Sequence, residues 1–180
     1  AFRTDSVTET CTRVRSRFLK GGGNPAQLSF IVGFFNHTLQ PGLATQHDMR
    51  PARFVDIDVD MYLGTYQALD WMLASKLIVV GTQIAYDDWC SSTHASTMED
   101  GEALAHVQIA RKYGVRFRLL KHPHDFYKQW FEVLEIGATT PATGLEGFVY
   151  GTDYCGQCPW ERTPDDPRLQ NLAALGWEGP

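Results

Sequence analysis

The amino-acid sequence predicts an α/β fold: a mainly parallel sheet with an antiparallel C-terminal edge. Across residues 1–140, apolar runs of strand length alternate with segments of helical periodicity, the order that βαβ crossovers produce. The last two strand-like runs have no connector of strong helical period between them, so they are free to pair as a hairpin at the sheet's edge. At 180 residues, 43% hydrophobic and 21% charged, the chain is long enough to bury a core of ordinary domain size.

Asp5 or Ser6 can cap a first helix running to about Leu19, with Glu9 in its first turn and Gly21-Gly22-Gly23 stopping it. Leu28-Ser29-Phe30-Ile31-Val32 reads as a short strand ending at Gly33, and residues 36–50 as a polar loop with room for a short helix. Residues 53–58 form the next strand, its apolar residues alternating with charge toward the end. A helix from about Thr65 to Ala74 follows, with Ala68, Leu69, Met72 and Leu73 on one face. Leu77 to Val80 leads into a strand over residues 82–86 that stops at Asp87-Asp88. Residues 99–113 are helical, with Ala103, Val107 and Ala110 in register and Gly114 as the stop. Residues 115–120 and 130–136 alternate apolar and polar as half-covered strands do.

Residues 141–180 are different. They hold 11 of the 25 Gly and Pro residues, with six acidic side chains against two basic. They read as a loosely structured extension draped over the domain or an oligomer partner, not as a second domain. The whole chain carries 21 acidic against 16 basic residues, a net charge of -5, which argues against nucleic-acid or anionic-membrane binding. No apolar run approaches the ~18 residues of a membrane span. Four scattered cysteines make no disulfide scaffold, so a cytoplasmic, reducing setting is expected. The N-terminus has no signal-peptide pattern and does not begin with Met, which leaves open that the chain is a piece of something longer.

Chemistry concentrates at two strand ends: Asp56-Ile57-Asp58-Val59-Asp60 after one, Asp87-Asp88 after the next. In open α/β sheets ligands bind beyond the carboxyl ends of the strands. If these strands are neighbours, their ends lie roughly 5 Å apart and the carboxylates converge. Such a group repels itself unless a cation neutralises it, and oxygen ligands select Mg²⁺ above all. Single acids at strand ends more often serve the dipole of the following helix, but five at two adjacent tips point to a metal. Asp58, at the tip, is the best-placed ligand. Asp56 lies below it, Asp60 is expected to accept backbone N–H groups as the chain turns, and Asp87 and Asp88 approach from the other side.

The run FVDIDVDMYLGTYQALDWML, followed by GTQIAYDDW, resembles the macrocin O-methyltransferase-like (TylF-type) class I methyltransferases. Their "D-x-D-x-Y" appears as Asp58-Val59-Asp60-Met61-Tyr62 and their "DD" as Asp87-Asp88, while FIVGFFNHTL resembles their "V-x-G-x-F-x-x-T-L" segment. The resemblance runs from about residue 5 to 137, with three motifs in the right order. It implies a Rossmann-like sheet, and Mg²⁺-dependent methyl transfer from S-adenosylmethionine to a hydroxyl of a small sugar- or polyketide-like acceptor. It also implies Asp58, Asp87 and Asp88 as metal ligands, Asp58 as the candidate base, and Gly33 and Phe34 at the cofactor. The family's Gly-rich first strand-loop and the acidic end of its second strand have no counterpart here. The expected fold therefore lacks the first strand-helix units, and the chain reads as a fragment or as a relative that keeps only the metal half. Turnover by these residues alone is not expected.

Other readings compete. Phe54-Val55-Asp56-Ile57-Asp58-Val59 also matches the haloacid-dehalogenase opening, with Asp56 as nucleophile and Asp58 as acid/base; Lys76 is the only lysine placed to complete that site. A D-x-D sugar-nucleotide transferase has no further support in the chain. Cys155 and Cys158 make half a zinc site, with His122 and His124 the sole candidate partners. Tyr62, Tyr86 and Trp89 flank the acids, as a pocket floor or as plain core, and His37 and His94 sit in loops near the motifs as solvated side chains. A non-enzymatic role is the remaining class: a partial methyltransferase fold whose open strand edges pair with another chain or a second copy.

Overall fold

The computed structural model describes residues 6–89, 101–121 and 128–144, and the chain divides at residue 38 into two compact units, Ala1–Thr38 and Leu39–Pro180.

In the first unit, helix α1 (Val7–Lys20) opens on a reciprocal cap. The Ser6 hydroxyl accepts the Glu9 amide at 3.3 Å, and the Glu9 carboxylate accepts the Ser6 amide at 2.9 Å. The Ser6 amide, and after it the Ser6 hydroxyl, donate to the Glu9 carboxylate and hold that carboxyl below its ordinary range. Arg17 and Lys20 suit the negative end of the helix dipole, and Gly21 closes it with its amide on the Arg17 carbonyl. A 3₁₀ turn, Pro25–Gln27, follows under an Asn24 cap. The strand expected over residues 28–32 is not formed. Its apolar side chains satisfy β propensity, but a strand needs a neighbour for its backbone ladder, and among the described residues none is offered; Ile31 and Val32 stand exposed. A short helix, α2 (Phe35–Thr38), ends the unit.

The second unit begins with the single turn α3 (Leu43–Gln46) and contains a four-stranded sheet. Its strands are β1 (Phe54–Ile57), β2 (Gln83–Tyr86), β3 (Arg116–Lys121) and β4 (Gln129–Glu135), in the spatial order β1-β2-β4-β3. Strand β1 is parallel to β2, with α4 (Tyr62–Ala74) crossing between them; α5 (Glu102–Tyr113) precedes β3. Strand β4 is antiparallel to both β2 and β3. The expected hairpin therefore forms, but β4 inserts between its predecessors and leaves β3 at the edge. Three strands share one direction, yet a single neighbouring pair is parallel, so the sheet is mixed where the sequence suggested a mainly parallel one. The burial pattern of β4 explains its place: Phe131 and Val133 are fully buried, as an interior strand requires, while Trp130 and Leu134 face outward.

The core joins Val55 and Ile57 of β1, Ile84 and Tyr86 of β2 and Phe131 and Val133 of β4 to Leu69, Trp71 and Leu73 of α4 and Ile109 and Ala110 of α5. Each large side chain so buried contributes roughly 1.5–3 kcal/mol. Helix α4 is buried over more of its circumference than the four expected positions, because α5 packs along it as well as the sheet. That burial takes in Asp70, which is met by the Lys112 ammonium at 2.6 Å and the Tyr113 hydroxyl at 2.7 Å, both from α5. Burial and this partner push the Tyr113 hydroxyl's pKa up. Gly114 ends α5 at φ +62, where an added Cβ would stand 2.5 Å from the Ala138 carbonyl oxygen, so only glycine fits.

Residues 141–144, the start of the expected extension, run along the outer edge of β3. The Phe117 amide donates to the Ala142 carbonyl at 2.8 Å, and the Ala142 amide to Val115 at 3.1 Å. The rest of the extension lies outside the described residues, as do Cys90, His94, His122, His124, Cys155 and Cys158. No helix among the described residues is long and apolar enough to cross a membrane.

Candidate metal centre

The parallel register pairs Ile57 with Tyr86, so Asp58 and Asp87 leave the sheet at the same level from adjacent strands. The Asp87 amide donates to the Ile57 carbonyl at 2.9 Å, carrying the ladder one step past the strand ends. One carboxylate oxygen from each of Asp58, Asp87 and Asp88 falls within 4.8 Å of the other two. Asp58 is exposed and the other two are half-buried. All three residues that the sequence placed at the metal are thus brought together, on the two strands expected to be neighbours.

The electrostatics are those of a site with too little positive charge. Partial burial, then the charges of Asp87, Asp60 and Asp56, raise the Asp58 carboxyl, with Lys128 acting against them. Asp88 is pushed up to about 6, first by burial and then by a hydrogen bond to Asp60 and the surrounding carboxylates. Lys128, just before β4, forms an ion pair with Asp87. Asp56 is exposed on β1 and adds its charge from below, as expected. Asp60 is different from expectation: it sits at φ +59, and the Met61 amide reaches over it to the Val59 carbonyl at 2.5 Å. That three-residue turn swings the chain into α4 and sets the Asp60 carboxylate against Asp88, instead of onto the helix amides.

Glu102, unremarked in the sequence beyond its place near a helix start, is fully buried behind this cluster. Its Oε1 accepts the Val59 amide at 3.4 Å and its Oε2 the Asp88 amide at 3.1 Å. Burial pushes its carboxyl up to about 7 despite those two bonds. The available signal was only an acid in the first turn of a helix, which reads as dipole compensation.

The flanking aromatics belong to the core. The Tyr86 hydroxyl lies 2.9 Å from His106 Nδ1, and His106 Nε2 lies 2.9 Å from the Thr143 carbonyl. A carbonyl only accepts, so Nε2 carries the proton and Nδ1 accepts from Tyr86. Trp89 packs on Tyr86, His106 and Phe131 with ring centroids 5.0–5.3 Å away. Among the described residues its Nε1 meets no hydrogen-bond partner, nor does the amide of buried Gln129. The Tyr62 hydroxyl donates to Gln108 at 2.6 Å, tying α4 to α5. His37 is exposed, with the Phe34 ring edge-on to it.

Gly33 and Phe34 lie in the first unit. Phe34 is 79% exposed, and a Cβ at Gly33 would stand 2.6 Å from Thr38 Cγ2, so the space beside that glycine is filled by its own loop.

An all-carboxylate donor set is hard and anionic, which suits Mg²⁺, Mn²⁺ or Ca²⁺ better than a thiolate-seeking ion. Compared with known protein families, curated proteins and solved structures, the chain matches none.

Proposed function

We propose that Asp58, Asp87 and Asp88 hold a divalent cation, Mg²⁺ first, in a site for methyl transfer from S-adenosylmethionine to a hydroxyl of a small sugar- or polyketide-like acceptor. The observation that carries the cation is the convergence of three carboxylate oxygens within 4.8 Å at the ends of two parallel strands. The methyl donor and the acceptor class rest on the resemblance to TylF-type enzymes. The antiparallel hairpin that closes the sheet agrees with the fold of that class. For the donor itself the described residues fit less well: the β1–α4 connection contains no glycine, and the Gly33 loop is self-filled.

Mg²⁺ at this site would supply the positive charge that makes an acceptor hydroxyl easier to deprotonate. The chain's own residues do the rest. Asp58 is exposed, so its carboxylate is accessible as the candidate base for that proton. Lys128 steadies the Asp87 carboxylate, whereas the Asp60 carboxyl beside Asp88 favours its protonated form until a cation neutralises the pair. The alignment of acceptor and donor is where a methyl transfer gains most from a protein.

The haloacid-dehalogenase reading asks for a lysine between Asp58 and Asp87 in the chain that reaches the acids, and Lys76 is the only one there. Lys76 instead follows α4 at the far end of the sheet, where the neighbouring Leu77 carbonyl accepts the Ala52 amide just before β1. The interaction-module reading is favoured by one observation: among the described residues no strand pairs with the outer side of β1.

Calorimetric titration of the full chain with Mg²⁺ and with S-adenosylmethionine tests the proposal. Binding of both is expected. Asp87→Ala and Asp88→Ala should each abolish the Mg²⁺ signal while circular dichroism stays unchanged. Mg²⁺ binding without the cofactor favours the interaction module, and binding of neither overturns the site.

A further inference from the structure

Among the described residues, Glu102 is a buried acid beside the cluster whose two carboxylate oxygens are taken up by backbone amides. Its two oxygens take one amide from each of the two strand tips: Val59, which follows Asp58, and Asp88 itself. Val59 and Asp88 stand just past the ends of β1 and β2, and the chain after Val59 turns into α4 through Asp60 at φ +59. Beyond the Asp87 amide bond to Ile57, the sheet ladder no longer joins them. Something else has to keep the carboxylates of Asp58 and Asp88 in one place against their mutual repulsion. The Glu102 side chain is fully buried and fixed on the first residue of α5, a rigid support.

We propose that Glu102 is a positioning residue for the cation ligands, clamping the Val59 and Asp88 amides so that Asp58 and Asp88 converge. It is not itself a ligand. The inference rests on the cation reading above. A carboxylate is the side chain the task needs, because it offers two acceptor oxygens side by side and both amides are donors. Placing a buried carboxylate beside other acids is unfavourable, and its pKa of about 7 records that. A solely structural clamp could use a neutral side chain, whereas a negative charge behind the ligands also strengthens their field on a bound cation.

The test is the affinity of the full chain for Mg²⁺, and for Mn²⁺ as a paramagnetic probe, in the parent, Glu102→Gln and Glu102→Ala. Glutamine keeps the volume and one acceptor oxygen, so its fold is preserved even if alanine fails to fold. Orienting groups behind metal ligands typically change affinity about 10–100-fold, so alanine should weaken binding by that much and glutamine by several-fold. Asp70→Ala is the control for mere destabilisation: it should lower the melting temperature without moving the metal affinity. Glu102→Gln binding Mg²⁺ within about twofold of the parent would overturn the role of Glu102. A parent that binds neither ion would instead overturn the cation site, and the role of Glu102 with it.

Discussion

Two groups of acid lie in the same unit and are treated in opposite ways. Asp70, in the middle of α4, is wholly buried, yet α5 brings it an ammonium and a phenol at 2.6 and 2.7 Å. Its charge is met where it stands, and it works as a bolt between two helices. Asp58, Asp87, Asp88 and Glu102 gather at the strand ends with Lys128 as the counter-charge described there, and the carboxyls of Asp58, Asp88 and Glu102 are raised. Asp70 is neutralised by the fold, while the strand-end acids, with one described lysine on Asp87, keep an excess of negative charge. That difference, more than their number, separates a site from a packing detail.

The comparison can be broken most severely at Asp70. Asp70→Ala removes the acceptor of both α5 groups, and loss of a buried partner of this kind costs about 3 kcal/mol. Urea unfolding should show that loss, with Mg²⁺ affinity unchanged. A smaller loss would mean that Lys112, 44% exposed at its side chain, simply returns to water.

The pH dependence sharpens the other side. The Glu102 carboxyl titrates at about 7 in the folded chain against an ordinary 4.5, so between those values the native state holds a proton that the unfolded chain has lost. Its contribution is complete below about pH 4.5 and is lost as pH rises through 7, on the order of 3 kcal/mol. Asp88, raised to about 6, acts in the same direction. Metal-free protein should therefore lose stability between about pH 5 and 7, and saturating Mg²⁺ should flatten or invert that slope. Unfolding midpoints at several pH values, with and without Mg²⁺, would show it; a metal-free stability that climbs over this range contradicts the charge imbalance.

The smallest effect is expected at Arg118, whose exposed guanidinium pairs with Glu132 across β3 and β4. Arg118→Ala should change stability by about 0.5 kcal/mol or less, because an exposed pair is well screened. A larger change in the same unfolding assay would show that surface pairing, too, carries the hairpin.

The acids at the strand tips were legible because their signal is local: two apolar strands, each ending in Asp, joined by a segment of helical period. The caps of α1 and α5 were legible for the same reason, since Ser6, Glu9 and Gly114 act within a turn of where they stand. What escaped depends on distant partners. Glu102 reaches Val59 across 43 residues, and Asp70 meets Lys112 across 42, so neither role has a mark in its own neighbourhood. Residues 28–32 have the composition of a strand but lack a ladder among the described residues. Which strand of the C-terminal hairpin lies inside was not legible, because alternation reports which faces are covered, while the interior place of β4 follows from pairing on both sides.

The two edges of the sheet are unequal. At β3 the chain's own residues 141–144 occupy the backbone groups, and Gly144 lies so close that an added Cβ would stand 3.1 Å from the Leu119 nitrogen. At β1 no strand is paired on the outer side among the described residues. Among the described residues, then, β1 presents backbone for a further strand, while Ala142 takes up part of that of β3. If two copies meet edge to edge, they do so β1 to β1 about a twofold axis, and the pair has no second edge to offer a third. Assembly by strand addition then ends at two chains instead of running on into a fibre.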